Sequence, residues 1–417
     1  MKIAVVGAGI SGLTAAWVLA RRHEVVLFEA GGSAGGHANT VRLREKDRSI
    51  DVDTGFIVFN ELNYPGLCRL FSLLGVESIE SDMSFSVHCE STKTEYNGTS
   101  LNKLFGQRRN LVRPAFWWMV RDILRFNQKA VSDLENGLAD DITVDDYLAA
   151  EEYSRVFVDQ YLVPLGASLW SCDAGTFRSF PMRFVIEFLH NHRMLQVEGR
   201  PVWRTVAGGS RSYVGKMLAG YRGRLVLGTP VKGVKRGRRG VELRFNGDRR
   251  EDFDEVVMAT HADQSLGILH DARDDERGAL EMFPYRKNRV TLHTDTRVLP
   301  DRRNIWAAWN YRIPEAGCGQ TSVTYNMNML QNLPSRKTYC ISLNPDAPVD
   351  ESRVLRRIDY EHPVFLPGRD AVQQEHPALI RRDRVSYCGA YWGYGFHEDG
   401  VRSALNVCEA FDMGLAQ

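Results

Sequence analysis

Three glycines near the start of the chain have a spacing suited to one kind of chemistry. Gly7, Gly9 and Gly12 fall in Gly7-Ala8-Gly9-Ile10-Ser11-Gly12, the pattern G-x-G-x-x-G. Gly7 permits a tight turn, Gly9 lets backbone approach a pyrophosphate, and Gly12 lets a helix pack closely on a strand. Ile10 and Ser11 open that helix, offering unpaired N–H groups and the positive end of a dipole to phosphates. Glu29 follows about 20 residues on, where an acid accepts ribose hydroxyl protons. The set points to a bound dinucleotide. A second group of reactive types lies near the C-terminus, with Tyr391, Trp392 and Tyr394 ahead of His397-Glu398-Asp399-Gly400. His397, and His261 at the end of Val256-Val257-Met258-Ala259-Thr260-His261, are candidate proton acceptors. Each serves equally well as a structural hydrogen-bonding group.

The elements that must position these residues are legible around them. Lys2 to Val6 reads as a strand, Leu13 to Arg22 as an apolar helix and Glu24 to Phe28 as a second strand. This βαβ order is the context the glycine pattern requires. Val256 to His261 reads as a buried strand with a polar end, and such ends face the ligand crevice of open α/β sheets. At the other end, the strand Val385 to Cys388 leads through a loop to a helix from Val401.

After Glu29 comes a glycine-rich turn, Ala30-Gly31-Gly32-Ser33-Ala34-Gly35-Gly36-His37. With this turn the sequence resembles the flavin-dependent amine oxidase and phytoene desaturase superfamily. The resemblance implies non-covalently bound FAD, its diphosphate wrapped by Ala30, Gly35, Gly36 and His37. His37 stands where that superfamily commonly has arginine. Thr54, Gly55 and Phe56 would lie beside the flavin ring, although Asp53 to Asn60 also reads as a strand-turn-strand in the core. Val231 would meet the adenine through its backbone, and Gly389 the pyrophosphate side. The helix start at Gly400 and Val401 would face the flavin N1–C2=O edge, where reduced flavin carries negative charge. Ala390 and Tyr391 follow Gly389 where the superfamily often has an acid. Tyr391 and Tyr394 are candidates to wall the reaction site.

The implied fold class is α/β, a glutathione-reductase-type Rossmann FAD domain with a mixed helical and β-sheet substrate domain. The expected FAD-binding parts are 1–80, 200–265 and 375–417. The expected substrate or cap parts are 81–199 and 266–374. Leu225 to Val231, Val241 to Phe245 and Phe253 to Ala259 resemble the superfamily's small antiparallel sheet. Gly317-Cys318-Gly319 precedes no helical pattern, so no second dinucleotide site is expected.

The segments Asp53 to Asn60 and Gly389 to His397 resemble one subgroup of FAD-binding proteins, associated with cyclopropane-fatty-acid-synthase-like methyltransferases. That likeness implies dehydrogenation of a methyl-branched or cyclopropane fatty acyl chain by hydride transfer to flavin N5. A lipid methyltransferase is then a candidate partner. An amine oxidase acting on a small amine is the alternative, but it calls for a lysine near N5, and the Ala207-Gly208-Gly209 turn has none beside it. A flavin-binding partner of a methyltransferase without turnover, and a redox-neutral isomerase, are further alternatives.

Arg108 to Arg125 combines arginines with Phe116, Trp117, Trp118 and Met119 on a helix from Pro114. It reads either as an interfacial helix giving residues 111–126 peripheral membrane contact, or as a cap helix with one buried stripe. Adjacent Trp117 and Trp118 point in different directions, which favours the cap helix.

The 417 residues carry a net charge of +1, which gives no electrostatic basis for nucleic-acid binding. The seven cysteines are Cys68, Cys89, Cys172, Cys318, Cys340, Cys388 and Cys408. They are scattered and form no C-x-x-C, so neither a metal site nor a disulfide scaffold is expected. With a first strand read from residue 2, no leader is expected. Together these features favour the cytoplasm, with peripheral contact at the inner membrane face through 111–126.

Overall fold

A computed structural model describes residues 1–196, 198–315, 322–345 and 349–415. Gly317-Cys318-Gly319 lies outside them. Five parallel strands form the sheet that carries the glycine motif, in the order Arg224–Val226, Glu24–Phe28, Lys2–Val6, Glu255–Met258, Val385–Tyr387. Near-continuous apolar runs suit such strands because both faces are covered. Ile3, Val5, Val25 and Leu27 pack on one face with Leu13, Val18, Val401 and Val407. Ala4, Val6, Val26 and Phe28 pack on the other with Val234, Leu243 and Phe253.

The first helix is Ile10–Leu19, beginning directly after Gly9. The small antiparallel sheet differs from expectation. It is built from Gly233–Arg236, Val241–Arg244 and Arg250–Phe253, whereas residues 224–226 and 255–258 belong to the parallel sheet. Apolar runs alone do not distinguish a strand buried on both faces from one in a covering sheet.

A second, seven-stranded sheet runs in the order Val354–Pro363, Tyr285–His293, Cys340–Leu343, Val323–Asn326, Trp309–Ile313, Phe85–Cys89, Thr94–Asn97. A 3-10 turn, Arg303–Ile305, precedes its strand Trp309–Ile313. The hairpin of 85–97 joins this sheet through a parallel pairing with Trp309–Ile313. Helices Pro114–Glu135, Val144–Ala150, Val163–Leu169 and Met182–Asn191 supply its apolar cover through Phe116, Phe126, Leu148, Ala167, Phe184 and Phe188.

The C-terminal helix is His397–Glu409, starting four residues before Val401. Asp399 accepts a hydrogen bond from the Phe396 N–H at 3.0 Å, which closes the helix start. Gly400 and Val401 are consequently buried inside the helix and do not line the site. A Cβ on Gly400 would lie 2.8 Å from Ile10 Cγ2 and Ser11 Oγ, so Gly400 is where this helix crosses the first one.

Candidate active site

The glycine turns meet edge to edge. Gly7 has φ +102°, and a Cβ there would lie 2.7 Å from the Ala259 carbonyl oxygen. A Cβ on Gly12 would lie 1.8 Å from the Gly7 carbonyl oxygen, so Gly12 serves helix–strand packing and does not line the cavity. Gly9 has open space on its Cβ side. Gly36, at φ +57°, brings the second turn against Gly9, and the Gly35 N–H donates to Ala8 C=O at 2.8 Å. Glu29 accepts from the Ala8 and Gly31 N–H groups, each at 2.8 Å, which fixes its carboxylate at the strand end.

These features line one end of a cavity of about 970 Å³. Glu29, Ala30 and Val231 lie at that end; Gly9, Ile10, Ser11, Gly35 and Gly36 form its floor. Gly9 caps the first helix without a side-chain bond, so the helix's leading N–H groups face the cavity unpaired. His37 Nε2 is buried with no protein partner. An open glycine, free helix N–H groups and an orphaned imidazole nitrogen on one wall suit a diphosphate.

Thr54, Gly55 and Phe56 continue the lining. Thr54 Oγ1 lies 2.8 Å from the Tyr360 hydroxyl, and a Cβ on Gly55 would sit 2.2 Å from the His37 carbonyl oxygen. Asp53 faces away from the cavity. It is fully buried, and its carboxylate accepts from Thr40 Oγ1, Ser210 N–H and Oγ, and Gln331 Nε2 at 2.6–3.0 Å. It thereby ties the turn at 207–210 to the hairpin of Thr40–Arg44 and Ser49–Asp53.

Four histidines border this part of the cavity. The His37 ring stacks on Tyr360 at 4.7 Å and lies 5.2 Å from His362 and 6.5 Å from His261. Desolvation, and then repulsion from His362, His261 and His397, holds His37 well below the ordinary imidazole pKa, so it is neutral until an anion arrives. His261 stacks on Tyr285 at 4.1 Å and 8°, with Nδ1 3.3 Å from the Glu361 carboxylate. His397 is stacked on Phe56, and its Nε2 meets the Tyr213 hydroxyl at 3.1 Å. Desolvation lowers His397 to about 3. Its Nε2 is thus engaged by Tyr213 while its ring packs on Phe56.

Tyr391 and Tyr394 also line the cavity. Tyr391 is buried against Phe283 and Trp392, its hydroxyl unpartnered. Tyr394 stacks on Phe184 at 5.3 Å, and burial pushes its hydroxyl up to about 12. Gly389 lines the wall and is clamped by Ser403 Oγ, which bonds both its N–H and its C=O at 3.0 Å. Beyond this region the cavity enters the second layer between Tyr96, Tyr161, Leu165, Trp170, Trp309 and Leu343. No lysine lines it among the described residues; its carboxylates are Glu29, Asp82 and Glu361.

Tyr360, Glu361 and His362 were not visible as site residues from the sequence. They end the long edge strand Val354–Pro363, and nothing in their spacing connects them to the opening motif.

A family model described as flavin containing amine oxidoreductase matches residues 10–342. The chain belongs to this flavin-containing amine oxidoreductase family. Solved structures share its fold. Cyclohexylamine oxidase from Brevibacterium oxydans IH-35A superposes with a TM-score of 0.72 at 16% identity over 99% of both chains. A fatty acid isomerase from P. acnes that produces CLA gives 0.67 at 14%, over 98% of both. Putrescine oxidase bound to putrescine gives 0.67 at 14%, over 99% of both. No curated protein matches the sequence. As a flavin oxidoreductase, the chain has its two helix N-termini, at Ile10 and His397, beside the cofactor cavity. Both would present positive dipole ends to a bound anionic flavin.

Proposed function

We propose that this oxidoreductase holds FAD non-covalently and dehydrogenates a fatty acyl chain, one carrying a methyl branch or a cyclopropane ring. The carrying observation is the second arm of the cavity, whose walls are leucines and aromatic rings and whose lining, among the described residues, contains no lysine. An alkyl chain gains by leaving water for such walls, at about 25 cal/mol per Å² of apolar surface buried. A protonated small amine gains little there, and the reading as a strict amine oxidase loses its expected lysine. Cys388 supports non-covalent binding, because it is fully buried outside the cavity and desolvation raises its thiol pKa.

Forming a carbon–carbon double bond removes a hydride and a proton from adjacent carbons. FAD, when bound, takes up the hydride at N5. The chain's own residues orient the alkyl segment and exclude water. His261 has the Glu361 carboxylate 3.3 Å from its Nδ1; desolvation keeps the imidazole below its ordinary pKa, and so neutral and able to accept a proton, while Asp263 and Glu361 oppose that shift. Arg200, exposed in the cavity lining, is placed to meet a carboxylate or phosphate headgroup. The fold also serves a fatty acid isomerase, so a redox-neutral double-bond shift is the competing outcome. Aerobic incubation with branched or cyclopropane lipid, followed by mass analysis, separates the two. A product lighter by two hydrogens supports dehydrogenation; a product of unchanged mass with a moved double bond overturns it.

A further inference from the structure

Six of the thirteen exposed large hydrophobic side chains among the described residues lie in one short stretch: Leu101, Leu111, Val112, Trp117, Trp118 and Leu124. Val112 is 82% exposed and both tryptophans about half. On the helix Pro114–Glu135, Trp117, Trp118, Arg121 and Leu124 fall within an outer arc of about 120°, at about 100° per residue. Phe116, Met119 and Phe126 face the core, and the two tryptophans, expected to point in different directions, both stand at the surface. The Trp117 indole is fixed by a 2.9 Å bond to the Leu111 carbonyl and by packing on Phe105. Arg121 lies over Trp118 at 4.4 Å.

The charge of this stretch is as one-sided as its polarity is unusual. From Gly98 to Arg121 the chain carries Lys103, Arg108, Arg109, Arg113 and Arg121 and no acidic residue, in a protein whose total is +1. Exposed Arg302 and Arg303, beside Asp301, abut it through the packing of Leu101–Leu104 on Arg303–Ile305. The patch also adjoins the cavity. Gly98 and Thr99 are exposed members of the cavity lining immediately before Leu101, and Tyr96 lines the cavity while packing on Phe116 at 5.8 Å.

We propose that this face docks on an anionic phospholipid surface, with Val112, Trp117 and Trp118 entering the headgroup boundary and the arginines meeting lipid phosphates. Indoles at that depth and basic side chains above it are the arrangement interfacial helices adopt. A hydrophobic protein partner would not call for five cations of which Arg121 alone, among the described residues, pairs with an acid, the buried Asp122. The occupant follows from exposure and charge alone and does not depend on the reaction proposed above.

The flavin-loaded protein is sedimented with sucrose-filled vesicles of phosphatidylcholine alone, or of phosphatidylcholine mixed with phosphatidylglycerol. Binding to the anionic vesicles is expected to be on the order of a hundredfold tighter and to weaken with salt. Brominated acyl chains should quench tryptophan emission. Trp117→Gln with Trp118→Gln should remove the quenching and weaken binding roughly tenfold. Arg108→Glu with Arg109→Glu, at two exposed positions, should abolish the preference for anionic lipid while keeping the flavin. Equal binding to both vesicle types, no binding, or binding untouched by both variants would overturn the proposal. So would a dimer in solution that the tryptophan variant dissociates, which would assign the face to a second copy.

Discussion

The imidazole of His397 lies flat on the ring of Phe56, with centroids 3.7 Å apart and planes 16° apart. One residue opens the C-terminal helix and the other follows the Thr54-Gly55 turn, so the stack joins the two walls of the cavity. Tyr213, from the helix Arg211–Gly220 after the Ala207-Gly208-Gly209 turn, holds the free edge of the imidazole. Replacing His397 should therefore act on cofactor retention. His397→Gln loses a stack of about 1 kcal/mol and a hydrogen bond of about 1 kcal/mol. Flavin affinity should fall roughly tenfold or more, with the pH profile of turnover unchanged. A lost ionisation in that profile would restore His397 as a proton acceptor.

His261→Gln should behave in the opposite way. The protein should keep its flavin, because His261 contributes a ring stack to Tyr285 and a charge contact to Glu361. Turnover should drop by about 10²-fold or more, the usual worth of a positioned proton acceptor. Stopped-flow reduction compared with flavin content separates the two effects.

Two glycine substitutions should fail differently. Gly9→Val meets no protein atom on its Cβ side, so the chain should fold but purify colourless, its branched side chain standing where phosphate approaches. Gly12→Ala drives a methyl to 1.8 Å from the Gly7 carbonyl oxygen. It should reduce folded yield and lower the melting temperature before any effect on flavin is measurable.

Asp53→Ala should cost about 3 kcal/mol or more, because it strands buried donors on Thr40, Ser210 and Gln331. Denaturant unfolding of the flavin-free protein measures this directly.

Acid should destabilise the flavin-free protein well above the usual carboxylate range. His192, His293 and His376 are buried, and desolvation lowers each to about 4. A depressed histidine contributes stability that is complete above its unfolded value of about 6.5 and is lost as pH falls toward 4. Each ring represents on the order of 2–3 kcal/mol. Burial raises Asp53 and Asp399 to about 6. These acids act in the opposite sense, since their stabilisation is complete below about 4 and lost as pH rises through 6. Three histidines with the larger shifts outweigh two acids, so melting temperature should fall between pH 6.5 and 4. His293→Gln should flatten that slope.

The parts of the site that could be read from sequence are those built by neighbours along the chain. Gly7 through Glu29 form one βαβ unit, and its spacing alone carries the phosphate-binding geometry. The parts that could not be read depend on distant pairings. His362 reaches His37 because Val354–Pro363 lies antiparallel to Tyr285–His293. The family resemblance puts a helix start at Gly400 and Val401, yet Asp399 capping the Phe396 N–H moves the start to His397. The small sheet was misassigned because Leu225 and Val256 are as apolar as any covering strand. Their parallel partners, Leu27 and Ala4, decide their place.

The central claim is that an apolar acyl chain delivers electrons to the flavin. It is tested most directly without oxygen. The yellow protein is mixed anaerobically with lipid bearing cyclopropane or methyl-branched chains, and the oxidised flavin band is followed. Bleaching with these lipids, and none with a panel of small amines, is the predicted result. Bleaching by amines with no response to lipid would contradict it.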